Sequence, residues 1–269
     1  MNYHSDTWIL NCMQEHREES LDYFKEENIV GIFLQGSQNY GLDFEDSDID
    51  TKLIVTPSFK DICLNKKPMS TTHVRLNDEH TDWKDIRLYM ETFRKQNLNF
   101  LEILFTNFYW INPLYEKEWD RLIEAREDIA RMNPYRAVKS MKGIALEKYH
   151  AMEHPYPSKE QILTEWGYDP KQLHHLLRVK EYLERYITGE YYKSCLRPHN
   201  PQYLVKVKKG FYTLDEARLI ADSVIAETIE MADKFCANFE DKENVAMKEL
   251  LEDVSYNIMK ISVEKELSV

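Results

Sequence analysis

Ile29-Val30-Gly31-Ile32-Phe33-Leu34-Gln35-Gly36-Ser37, followed after ten residues by Asp48-Ile49-Asp50-Thr51-Lys52-Leu53-Ile54-Val55, reads as two short strands joined by a polar connection. The first run is apolar, rich in β-branched residues and too short for a helix of ordinary length. Residues 38–47 are polar and contain Gly41, as a loop or a short helix would, and Pro57 closes the second strand. Side chains at i and i+2 of a strand point to one face, with Cα atoms roughly 6.5–7 Å apart. Asp48 and Asp50 therefore share a side, and two carboxylates so close repel unless a cation lies between them. Hard oxygen donors with open positions suit Mg²⁺ or Mn²⁺. A glycine lets the backbone approach a ligand closely, and the adjacent Ser37 offers a hydroxyl and an N–H to a phosphate oxygen. Alone, a Gly-Ser pair is a turn and an Asp-x-Asp is a common loop feature. Their order, spacing and flanking strands give them weight.

That ordered set resembles the DNA polymerase beta nucleotidyltransferase superfamily: a hydrophobic strand, Gly-Gly or Gly-Ser, about a dozen variable residues, then Asp-hydrophobic-Asp. The string GSQNYGLDFEDSDID is most similar to the minimal RNA-repair-pathway members, through Gly36, Ser37, Tyr40, Gly41 and the Ser47 that precedes the first aspartate. Asp85 and the stretch from Asn97 to Glu102 look like that subgroup's third-carboxylate strand and the helix after it. Lys171, His175 and Arg178 look like its Lys-x-x-x-His-x-x-Arg helix. The resemblance implies that Gly36, Ser37, Tyr40, Ser47, Lys171, His175 and Arg178 bind a nucleoside triphosphate. It further implies that Asp48, Asp50 and Asp85 hold Mg²⁺ or Mn²⁺ and carry catalysis. Thr51 and Gln35 depart from the apolar residues usual at their positions.

Working outward, Trp8, Ile9, Cys12, Met13, Leu21 and Phe24 recur near helical spacing over residues 7–27. Ile86, Leu88 and Met90 alternate with Asp85, Arg87 and Tyr89, which predicts a third strand over 85–90. Asp82, the rival third carboxylate, falls on the opposite face from Asp85 if that strand is regular. Residues 58–81 resist assignment, with a further strand expected at 71–76. From Glu91 the pattern is helical, over 91–106, 114–131, 135–153, 158–166, 170–188, 213–238 and 241–265, punctuated by prolines. The expectation is an α+β chain: a small mixed-sheet, polymerase-beta-like catalytic domain over 1–112 and a helical domain over 113–269.

The formal net charge is −12, which disfavours non-specific attraction to nucleic acid. Against that background, residues 191–214 carry Lys193, Arg197, Lys206, Lys208 and Lys209 and no acidic side chain, with Tyr192, Tyr203 and Tyr212 available for stacking. The segment reads as a solvated basic loop or as a contact for phosphate. The four cysteines form no CxxC pair, which argues against a zinc or disulfide framework. No apolar run approaches a membrane span and the N-terminus shows no signal pattern, so a cytoplasmic protein is expected. His73, His80 and Asp82 match no compact ligand spacing, and an Arg75/His80 pair falls outside any predicted helix. The expected reaction is metal-dependent transfer of a nucleoside monophosphate to an acceptor hydroxyl, an RNA end before a protein side chain or a small molecule. The alternatives are a non-catalytic nucleotide-binding module and a toxin–antitoxin transferase that modifies a protein partner.

Overall fold

The computed structural model, which describes residues 3–268, has a five-stranded mixed sheet in the order β3-β4-β2-β1-β5. β1 (Ile29–Gln35) pairs antiparallel with β2 (Asp50–Val55) and with β5 (Tyr109–Ile111), while β4 (His80–Asp85) lies parallel to β2 and antiparallel to β3 (Ser70–Val74). With helices before and after the sheet, the protein is α+β, as expected. The helices are α1 (Asp6–Ser20), α2 (Phe59–Cys63), α3 (Ile86–Arg94), α4 (Leu98–Leu101), α5 (Glu116–Glu124), α6 (Arg126–Ala130), α7 (Pro134–Ala151), α8 (Glu160–Trp166), α9 (Pro170–Ile187), α10 (Tyr192–Leu196), α11 (Pro201–Lys208), α12 (Leu214–Cys236) and α13 (Val245–Leu267).

Ser5 caps α1 by accepting the Trp8 N–H at 3.2 Å, and the helix buries Ile9, Met13 and His16 at helical spacing. Ile9 and Met13 pack with Ile32 and Leu34 of β1, Leu53 and Val55 of β2, and Trp83 of β4. One sheet face is thus covered by α1. Because side chains alternate, Asp50, Lys52, Asp82 and Lys84 fall on the other face.

The expected strand over 85–90 is helix. β4 ends at Asp85, whose carboxylate accepts the Arg87 N–H at 2.9 Å and caps α3. The residues α3 buries are Ile86, Tyr89, Met90 and Phe93, an i, i+3, i+4, i+7 stripe that outweighs the short alternation of 86, 88 and 90. The expected helix over 91–106 is broken after Arg94: Gln96 takes φ 55°, and Asn97 recaps the chain into α4. β4, β5, α2, α10 and α11 lay outside the sequence expectations.

The chain divides into two compact units, Met1–Met132 with Glu243–Val269, and Asn133–Lys242. The expected boundary at residue 112 falls inside the first unit, because the segment carrying α5 and α6 stays with the sheet and α13 returns to it: the Ser262 and Thr56 hydroxyls meet at 2.7 Å. In the second unit α7, α9 and α12 pack on one another, and α12 opens with a capping box between Thr213 and Glu216. Among the described residues no helix is long and apolar enough to cross a membrane.

Candidate active site

β1 delivers the chain into Gly36, which stands at φ 105° and ψ −158°, a left-handed conformation that strains any residue with a Cβ. A 3₁₀ turn over Ser37–Tyr40 follows and ends at Gly41, with φ 69°. The turn is pinned from three sides. The Asn39 side chain donates to the Leu34 carbonyl at 2.9 Å and accepts from the Thr106 hydroxyl at 2.6 Å, and the Leu42 N–H donates to the Ser37 carbonyl at 3.0 Å. Buried Gln38 donates its side-chain amide to the main-chain carbonyl of Asp48 at 2.7 Å.

That last bond joins the two halves of the motif. The register sets Gln35 opposite Asp50, where the pairing ends; Asp48 and Ile49, expected in the second strand, precede β2. Asp48 is exposed and Ile49 is buried. Asp50 is half-buried, and one of its oxygens accepts the main-chain N–H of His80 at 3.1 Å.

Asp82 is the third carboxylate of this face. It pairs with Lys52 across β2–β4, two residues along from Asp50, and accepts the Thr72 hydroxyl at 2.6 Å. Lys52 is buried between them, with its ammonium donating to the Asn99 carbonyl at 2.7 Å and lying 4.5 Å from the centre of the Phe100 ring. Burial lowers its pKa to about 8, with Lys84 acting in the same direction and Asp82 and Asp50 opposing. Asp85 is elsewhere. It pairs with Val55 at the opposite end of β2, roughly 16 Å along the strand from Asp50. It is buried in a bidentate pair with Arg87 (2.9 and 2.6 Å), so its place is that of a helix cap.

Beneath Ile49, on the α1 side, lies a residue that sequence reasoning missed. Glu79 accepts the Ile49 N–H at 3.2 Å on one oxygen, and His16, Arg75 (both 2.9 Å) and Asn77 (2.7 Å) on the other. Burial alone would raise its pKa, but the hydrogen bonds from His16, Asn77 and Ile49 outweigh it and hold the carboxyl down at about 2. His16 reaches on to Thr51 at 2.9 Å, so one buried network fixes the backbone on both sides of Asp50.

Two residues expected to touch nucleotide are packed inward: the Tyr40 ring is buried, and Ser47 is buried with its hydroxyl accepting the Phe44 N–H at 3.0 Å. The Ser47 bond holds the loop in shape. Lys171, His175 and Arg178 belong to α9 of the second unit. There burial, then the neighbouring charges of His174, Arg178, Lys171 and Lys148, holds His175 neutral well below its usual range. His174 is buried against the Leu204 carbonyl at 2.8 Å, and its pKa is lowered to about 4.

The donor set fits a hard divalent cation. Among the described residues no three His, Cys, Asp or Glu side chains form a closed cage. Magnesium is commonly held by one or two carboxylates plus substrate phosphates, and Asp48 with Asp50 is a set of that kind.

The chain's sequence matches no protein-family description and no curated protein. Among solved structures it is similar to a nucleotidyltransferase-like protein from Exiguobacterium sibiricum 255-15, at 12% identity and a TM-score of 0.31, over 96% of this chain and 76% of that one.

Proposed function

We propose that this protein is a metal-dependent nucleotidyltransferase that moves a nucleoside monophosphate from a triphosphate to an acceptor hydroxyl, with an RNA end as the acceptor. One observation carries the reading: Gln38, in the turn that follows the strained Gly36, is hydrogen-bonded to the main chain of Asp48, two residues before the Asp50 that opens β2. Ser37 and the backbone at Gly36 would hold the β- and γ-phosphates, since turn N–H groups and a hydroxyl are donors for phosphate oxygens. Asp48 and Asp50 would hold Mg²⁺ or Mn²⁺, which when bound neutralises charge on the triphosphate and on the attacking oxygen. Asp82 would accept the acceptor's hydroxyl proton. The acceptor oxygen then bonds to the α-phosphorus, the bond from that phosphorus to the α–β bridging oxygen breaks, and pyrophosphate leaves. Much of the catalysis is alignment, which the Glu79 network serves by fixing the strand that bears Asp50.

The test is incubation of the purified chain with each α-labelled NTP, Mg²⁺ or Mn²⁺, and RNA or protein acceptors, beside Asp48→Ala/Asp50→Ala. Label transfer that vanishes in the double variant supports the reading. Metal-dependent NTP binding without transfer or pyrophosphate release would favour a binding module.

A further inference from the structure

Beyond Asp82, away from the Gly36–Ser37 turn, the sheet carries features that the reaction above does not use. Lys84 lies two residues on from Asp82 and pairs with Ser70, while Thr72 pairs with Asp82, so all four share a face. Ser70, Thr71, Thr72, Asp82, Trp83 and Lys84 line a cavity of about 310 Å³. The Lys84 ammonium lies 3.8 Å from the centre of the Phe100 ring, whose other close cation is Lys52 at 4.5 Å. Among the described residues, these two ammonium groups touch a carbonyl oxygen and aromatic rings, and no carboxylate comes within 4.0 Å of either. A chain of net charge −12 thus keeps two cations beside its candidate site without giving either an ion pair.

A partly desolvated ammonium that no carboxylate contacts retains attraction for an anion, and a ring face supports the cation without neutralising it, although the Asp82 charge acts on both lysines from a distance. The hydroxyl of Ser70, on the same face, adds a neutral donor to an oxyanion's shell. Asp82 lines the same cavity, so an anionic ligand is held at its Lys84 end.

We propose that Lys84, with Ser70 in the cavity and Lys52 behind the Phe100 ring, binds a backbone phosphate of the acceptor next to the hydroxyl that reacts at Asp82. This rests on the nucleotidyl-transfer reading and deepens it: the acceptor is a phosphodiester chain, an RNA, and a free nucleoside lacks the group that the cavity grips. Lys84 selects the acceptor and leaves the triphosphate to the Gly36–Ser37 turn.

The experiment measures equilibrium binding of adenosine, the dinucleotide ApA and a short oligoadenylate by calorimetry. Wild type, Lys84→Met and Lys84→Arg are compared, with NTP–metal affinity and the melting temperature as controls. The expected result is that Lys84→Met weakens ApA and oligoadenylate about tenfold, leaves adenosine and NTP unchanged, and is largely restored by arginine. The proposal is overturned if the loss is equal for adenosine and ApA, if NTP weakens in parallel, if wild type binds ApA no better than adenosine, or if only a protein acceptor is labelled. Failure of the parent reading has a different signature: no NTP is turned over even by wild type, whatever Lys84→Met does to ApA.

Discussion

The side-chain amide of Gln38 and the main-chain carbonyl of Asp48 meet at 2.7 Å, so the turn after Gly36 is tied to the stretch that leads into β2. Gln38→Leu keeps the buried volume, removes the bond and leaves the carbonyl without that donor. It is expected to lower stability by about 1–2 kcal/mol in denaturant unfolding and to raise the KM for NTP more than it lowers kcat.

The two candidate third carboxylates separate cleanly. Asp82→Asn keeps the side chain's shape and its contact with Thr72, and is expected to lower kcat at least about 100-fold with an unchanged melting temperature. Asp85→Ala removes the cap of α3 and the Arg87 pair, and should lower stability by about 1–2 kcal/mol while kcat stays within about twofold. The reverse pattern would favour Asp85 as the third carboxylate.

Gly36 has room but not conformational freedom. A Cβ there would meet only the Gln38 Oε1 at 3.6 Å, an ordinary contact, while φ 105° penalises any L side chain. Gly36→Ala is therefore expected to cost about 1–2 kcal/mol and to weaken NTP binding, both readable in a thermal shift with and without nucleotide.

Glu79 sets an acid limit. Its folded pKa, about 2, lies below the ordinary value of 4.5, so its contribution is complete above about pH 4.5 and is lost as pH falls toward 2. Unfolding between pH 6 and pH 2.5 should show this loss, on the order of 2 kcal/mol, in wild type and a flatter slope in Glu79→Gln. A variant slope equal to that of wild type would remove the network's role.

β1, the turn after Gly36 and β2 were legible in the sequence for a physical reason: they are contiguous, and their patterns are local. The stretch from 85 to 90 failed because it satisfies two periods at once. The alternation of Ile86, Leu88 and Met90 is broken in favour of a helix by the capping carboxylate of Asp85 and by Phe93, beyond the window in which alternation was read. That Asp82, and not Asp85, lies on the face of Lys52 and Asp50 follows only from the parallel register of β4 on β2, which no short window encodes. Glu79 acts through partners 30 and 63 residues away, and a lone glutamate in a polar stretch carries no mark of that.

The first unit is interrupted, and its two edges are fastened: the Asn244 N–H donates to the Met132 carbonyl at 2.7 Å. During synthesis the whole of Asn133–Lys242 must leave the ribosome before α13 is available to join the sheet, so the unit bearing the aspartates is the last to be completed. Because its edges already touch, a short glycine-serine bridge from Met132 to Asn244 would rejoin the first unit into one continuous chain, and the insertion could be exchanged as a cassette.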